Sequence, residues 1–253
     1  MESRDLIEGK LLPFLRQSVL DALNDAEHFR FDKGRPNQVT TICLYGSIVE
    51  MAHSCIAFLE KKEMTPLPII LRALLEAYAD FRACIDDQNY YKNMYASFLE
   101  EKLRFLKAFE RNPTNQYLQD AHGQIDIQTE KENLQEEIQA FTLENRPPLK
   151  TWQRFQNGKL EDEYHSMYWL LCLHSHNNLS ALEDRHIEKS GDDFSVVLFK
   201  EENPDDLQRY LDTIISIVIE STVAIHNFLH TEKASRYEEH QQKLGKLRKE
   251  YVY

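Results

Sequence analysis

The sequence predicts an all-α protein, a bundle of seven to nine helices with one short β-hairpin near residues 186–199. Three observations point there. Glycine is scarce, at 7 of 253 residues, against about 7% in average usage, so tight turns are few and long helices are favoured. Apolar residues recur at helical spacing along most of the chain. Turn-forming clusters fall between those stretches, at Arg30 to Asn37, Asn112 to Asn115 and Asn145 to Pro148.

The elements follow in order. Ser3 can cap a first helix reaching Phe29, with Leu6, Ile7, Leu11, Phe14, Leu15, Val19, Leu20 and Leu23 as its stripe. Pro13 lies inside that stripe and predicts a kink or break. Val39 to Lys62 is apolar around most of its circumference and reads as a central helix. Thr65-Pro66-Leu67-Pro68 opens a third helix to about Asp87, and a fourth runs from Asn89 to Arg111. Residues 113–150 are polar and rich in Gln and Glu, with one thin amphipathic helix from Gln128 to Leu143, and read as an excursion from the core. Trp152 and Phe155 then dock the chain back. A helix spans Glu161 to Leu182. Ser190-Gly191-Asp192-Asp193 between two extended runs predicts the hairpin. Asn203 caps a helix to His230 with Pro204 at its first position. Residues 232–253 read as a polar C-terminal tail, either a solvated helix or frayed chain. No repeat or linker divides the chain, so residues 1–253 read as a single domain.

Composition bounds the partners. The net charge of -12 argues against general DNA binding and against an anionic membrane surface, while leaving room for a local basic site. The most apolar run, Ile214 to Ile225, is too short and too polar to span a bilayer and reads as core. Cys43, Cys55, Cys84 and Cys172 are widely spaced within apolar helical patterns, which fits free buried thiols in a reducing cytoplasm. The N-terminus opens an amphipathic segment and not a signal peptide.

Two helical segments carry chemistry. In Leu71 to Phe81, Arg72, Glu76 and Asp80 are spaced i, i+4, i+8 and share a face. That is either a solvated ladder of ion pairs, worth little, or an Arg/Glu pair lining a cleft. In Tyr164 to Asn178, a His-Ser-His-Asn-Asn run sits in an otherwise apolar helix. Buried unpaired, such groups cost several kcal/mol, so they need partners. On a regular helix His165, Trp169, Cys172 and His176 form one stripe, beside Tyr164, Tyr168, Leu171 and Ser175. His174 then lies about 160° from His176, so the two cannot share one cavity. The run is either a polar layer fixing helix register or an acid/base or ligand-binding histidine.

Glu50-x-x-His53 and Asp162-x-x-His165 look like the carboxylate-x-x-His pairs of di-iron bundles, and Glu76 and Glu220 would complete a set. Composition alone yields roughly two such pairs, and the chain has four, counting Asp25/His28 and Glu183/His186. No Gly-rich phosphate loop, Gly-x-Ser-x-Gly, His-Glu-x-x-His or Cys/His zinc spacing is present.

The Arg-Ala-Leu-Leu-Glu-Ala-Tyr unit at 72–78, followed by a Tyr-rich helix ending in His-Ser-His, resembles an uncharacterised prokaryotic all-helical family. That family carries an Arg-x-x-x-Glu helix and a later helix ending in Ser and His. The likeness covers about Ile42 to Phe228 and implies a bundle with matching Arg72, Glu76 and one of His174 or His176. A more distant likeness is to HEPN and abortive-infection bundles, often dimeric, many of them RNases of toxin or phage-defence systems. Their Arg precedes the His on one helix. Here Trp169 to Leu171 occupy those places, so Arg72 would supply the cation.

The preferred reading is therefore a bacterial cytoplasmic bundle with an Arg72, Glu76 and His176 centre, His174 and Tyr168 nearby, and a metal-independent RNase if it is an enzyme. It takes no cofactor. Its candidate partners are RNA at a local site, a partner protein and a second copy of the chain. The rival is a non-catalytic interaction module whose buried polar residues only specify packing. A third reading is a di-metal bundle using Glu50, His53, Glu76, Asp162, His165 and Glu220.

Overall fold

The structure is a computed structural model that describes residues 6–112, 114–122, 126–176, 178–200 and 203–249. It is 77% helical with eleven helices among the described residues, an all-α architecture with more helices than the seven to nine expected. The surplus comes from short helices in polar stretches and from a break in the His-bearing segment.

In chain order, α1 opens as a π-helical turn, Ile7–Leu11, and continues as Leu12–Ala26. The π turn ends at Leu11, with Leu12 between it and Pro13. Proline has no N–H and crowds the carbonyl four residues back, and the wider i→i+5 turn accommodates it without ending the helix. The proposed Ser3 cap lies outside the described residues. Next come α2 (Pro36–Lys61), α3 (Leu67–Asp86), α4 (Tyr90–Arg111), α5 (Gln116–His122), α6 (Ile127–Leu143) and α7 (Thr151–Asn157). Helix α8 is composite: Glu161–Glu163, a π-helical turn Tyr164–Tyr168, and Trp169–Ser175. Helix α9 (Leu179–His186) leads into β1 (Ile187–Ser190) and β2 (Asp193–Val196), then α10 (Pro204–Phe228) and α11 (Ala234–Arg248).

The chain divides into two compact units. One comprises Met1–Asp86 with Arg154–Tyr253, and the other Asp87–Gln153. In the first, α2 packs along α3, and α10 packs against α1, α2, α3 and α11. Leu15, Ile48, Leu71, Leu75, Phe81, Leu211, Ile214 and Val218 are fully buried there. Helix α2 is not central as its apolarity suggested. Thr41, Tyr45, Ile48, Ala52, Cys55 and Leu59 face inward, while Cys43, Ser47, Glu50 and His53 are exposed. Its apolar residues alternate with small and polar ones, so one face suffices for burial. The thiols differ accordingly: Cys55 and Cys84 are buried, Cys172 is half-buried and Cys43 is exposed. Burial pushes the Cys55 thiol up to about 12.

Helix α10 extends well beyond Ile214 to Ile225. By length and composition α2 and α10 could each cross a bilayer, yet 56% of the most apolar window of α10 is buried in the fold. Its start follows expectation, with Asn203 Oδ1 accepting from the Asp205 N–H at 3.0 Å and Pro204 in the first turn. The hairpin also forms as read: β1 pairs antiparallel with β2, Ser190 opposite Asp193, across a two-residue turn. Gly191 there has φ +62°, the left-handed conformation that glycine adopts without steric cost. Of the two readings of the polar tail, solvated helix or frayed chain, the helix forms, as α11, but it is not solvated all round. It lies against α10 and buries Tyr237 completely.

In the second unit α4 and α6 pair through Leu99, Leu103, Leu106 and Leu134, with Ile127, Ile138 and Phe141 at the margin. The residues after α6 are tied to α4. Arg146 pairs with Asp87, Asn93 Nδ2 donates to the Pro147 carbonyl at 2.9 Å, and the Leu149 N–H donates to Ser97 Oγ at 3.0 Å. Trp152, expected to dock, is 46% exposed, whereas Phe155 in the first unit is fully buried.

Candidate functional site

Helix α3 buries Leu71, Leu74, Leu75 and Tyr78, which leaves Arg72, Glu76 and Asp80 along one flank. That flank is not a solvated ladder. Asp80 is 4% exposed, and each of the three takes a partner from α7, α8 or the turn after α8.

Tyr168 reaches α3 from the π turn of α8. It is buried against Phe155, with ring centroids 4.7 Å apart, and stacked on Tyr164 at 5.4 Å. Its hydroxyl donates to Glu76 Oε1 at 2.8 Å and accepts from Arg72 Nε and Nη2 at 3.3 and 3.2 Å. Burial, with donation to Glu76, pushes the phenol above its ordinary range, so it remains a protonated donor. Arg72 Nε also lies 3.4 Å from Glu76 Oε1.

Arg72 Nη1 lies 3.3 Å from His176 Nε2. A guanidinium can only donate, so in this hydrogen bond Nε2 is the acceptor. His176 arrives there because α8 stops. Ser175 is its last residue and His176 takes φ -102° and ψ 14°, outside the helix. Asn178 then caps α9, its Oδ1 accepting from the Ser180 N–H at 3.0 Å. Asn177 lies outside the described residues. Two readings are corrected by this geometry. No single helix runs from Glu161 to Leu182, since a polar Ser-His-Asn-Asn stretch offers caps that end one helix and start another. The regular stripe of His165, Trp169, Cys172 and His176 also fails. The π turn that holds His165 interrupts it at one end and the helix end before His176 at the other, and Trp169 is 60% exposed.

His174 is separated from His176, which lies beyond the end of α8 and so is not placed by helical phase. It lines a large cleft on another side of α8 with Leu170, and burial followed by the charge of Arg185 holds its imidazole below the usual range.

The metal set is not brought together. Glu50 and His53 face outward on α2, and Glu220 accepts a hydrogen bond from Tyr78 at 2.6 Å. Among the described residues no three His, Cys, Asp or Glu side chains form a group able to hold a metal ion.

Two features escaped the sequence reading. Arg154 grips Asp80 through both carboxylate oxygens, Nε to Oδ1 at 3.0 Å and Nη2 to Oδ2 at 2.5 Å, and its Nη1 lies 3.5 Å from Glu76 Oε2. Glu76 is thus held from both sides and is poorly placed to act as a base. The signal was Asp80 itself, a carboxylate on the stripe that needed a cation. The other feature is a buried polar cluster where α11 docks. Asp25 accepts from Lys233 Nζ at 2.6 Å and Tyr237 Oη at 2.8 Å, and lies 3.5 Å from His226 Nε2. His226 stacks on Tyr237 at 5.3 Å, and its Nδ1 lies 2.5 Å from Thr231 Oγ1.

Chemically, the Arg72 centre offers a fixed cation beside a solvent-facing imidazole. Such a pair can hold an oxyanion and accept a proton. The chain matches no curated protein and no solved structure. The Family of unknown function (DUF5677) matches residues 38–194, a span holding both Arg72 and His176, and the chain belongs to that family.

Proposed function

We propose that the Arg72–His176 pair is a phosphodiester site at which the protein binds and cleaves RNA. The observation that carries this reading is the 3.3 Å contact between Arg72 Nη1 and His176 Nε2 at an exposed position. With substrate bound, the phosphoryl oxygens would draw Arg72 Nη1 off His176 Nε2, and the freed Nε2 would take the proton of a ribose 2′-hydroxyl as that oxygen attacks phosphorus. Arg72 would offset the charge building on the phosphoryl oxygens, and the 5′-oxygen would leave with a proton from water. Glu76 and Tyr168 orient the guanidinium. This chemistry needs no metal or cofactor. The likeness to HEPN and abortive-infection bundles supports the reading, with the arginine supplied from α3 and not from the helix of the histidine. It also favours a bacterial, cytoplasmic defence protein and a dimer. The net charge of -12 confines RNA contact to this local patch.

A second reading rests on the closure of the network. Arg72, Glu76, Tyr168, Arg154 and Asp80 satisfy one another across α3, α7 and α8, as a layer that only specifies packing would. The chain would then be an interaction module. Incubation of single-stranded RNA with wild-type protein and His176→Ala separates the two. The nuclease reading expects cleavage by wild type and a loss of about 10²-fold or more in the variant. Intact RNA with folded wild-type protein leaves the interaction module.

A further inference from the structure

Helix α4 is apolar over more of its circumference than its pairing with α6 uses. Leu99, Leu103 and Leu106 form the seam against α6. Beside that seam runs a second row, Tyr91, Tyr95, Phe98, Lys102, Phe105 and Phe109. At about 100° per residue the row falls within about 80° of arc, and row and seam together span about 160°. A stripe facing one core is about 100° wide. Tyr91 and Phe109 are half-buried, but Tyr95, Phe98 and Phe105 are 43%, 54% and 39% exposed. Tyr95 is tilted against Phe98 at 6.1 Å and meets Phe141 of α6 edge-on at 5.7 Å, so these rings form one surface.

The make-up of the row narrows what covers it. Lys102 is its one charge, and Lys102 Nζ lies 5.9 Å from the Phe98 ring centroid and 3.4 Å from Glu130 Oε1. A lysine already shared with a carboxylate makes no phosphate track, and the chain carries a net charge of -12. Nucleic acid and an anionic bilayer are therefore poor occupants. The order of the row points to a different one. It is symmetric about residue 100, with Tyr91 answering Phe109, Tyr95 answering Phe105 and Phe98 answering Lys102. A two-fold axis at that point, with the helices antiparallel, sets every member opposite its counterpart on a second copy. Ring then meets ring on both limbs, and lysine meets ring at the centre. The central contact is one that Lys102 and Phe98 already make within the chain.

We propose that α4 packs antiparallel on the α4 of a second copy, so that two α4–α6 hairpins close a four-helix bundle around the aromatic row. The interface stands apart from the Arg72 centre and does not depend on it. Its test reads mass, not cleavage.

Sedimentation equilibrium on the full chain is that test. Wild type is expected at twice 29.9 kDa. Phe98→Lys sets lysine against lysine across the axis and should weaken association about tenfold or more. Adding Lys102→Glu to that variant replaces the repulsion with two ion pairs across the axis and should tighten association again by about threefold or more. Phe105→Lys, on an outer limb, should also weaken association about tenfold. It carries the test alone if Phe98→Lys fails to fold, and circular dichroism checks that each variant keeps its helices. A monomeric wild type overturns the proposal. So does unchanged association in a folded lysine variant, or a Phe98→Lys dimer that Lys102→Glu does not tighten.

Discussion

Tyr168 shows how much one polar atom can organise. Its oxygen accepts from Arg72 while its proton goes to Glu76, so one hydroxyl sets the orientation of both. Tyr168→Phe keeps the ring against Phe155 and deletes these bonds. It should cost about 1–3 kcal/mol, read as a lower denaturant midpoint with an unchanged slope, and an unaltered midpoint would sink the account. Tyr168, Arg72, Glu76 and His176 were legible in the sequence because polar groups in apolar helices demand partners. Arg154 was not. Its partner Asp80 is 74 residues away, and ion pairing leaves no periodic trace along a chain. The geometry of His176 was illegible for a different reason: helical phase was computed for a helix that does not continue.

At the scale of elements, the Arg154 grip depends on how closely the chain passes α3 after α7. A Cβ at Gly158 would lie 2.6 Å from the Ala79 carbonyl oxygen and 3.1 Å from its Cα. Both are backbone atoms, so neither can swing aside. Gly158→Ala should therefore force the α7–α8 turn away from α3 and cost about 1–3 kcal/mol as an overpacked contact. Because Arg154 precedes that turn, the variant should also lose the Arg154–Asp80 pair, visible as a smaller effect of Asp80→Asn in the Gly158→Ala background than in wild type. Additive effects would refute this coupling. Long helices, the Asn203 cap and the Gly191 turn were readable because their causes are local. The docking of α11 was not, since the Asp25–Tyr237 bond joins positions 212 residues apart.

For the whole molecule, that docking brings a pH dependence. The imidazoles of His226 and His240 lie below their ordinary value of 6.5, chiefly through burial. Asp25 and Lys233 face His226, and Asp21, Arg236, Lys243 and Glu239 act on His240. Burial would raise the Asp25 carboxyl, but hydrogen bonds from Lys233 and Tyr237 outweigh it and hold the group below 3.8. All three groups bind protons less readily folded than unfolded, so stability rises with pH through each titration. The histidine contribution is complete above about 6.5 and is lost as pH falls through the lowered folded values. The Asp25 contribution is lost only below about 4. Thermal midpoints should be flat from pH 8 to 7 and decline from 6.5 to 5, with a shallower decline in His226→Gln. A midpoint that climbs on acidification over that range would contradict the scheme.

The π-helical turn at Tyr164–Tyr168 has a further consequence. A turn closed five residues ahead holds one more residue than an α turn of the same rise. The chain therefore carries a spare residue of length between the exposed acidic start of α8 and the buried Tyr168. Slack of that kind lets the entry to the helix be redrawn, by a lost or gained residue, while Tyr168 and everything after it keeps its place on α3.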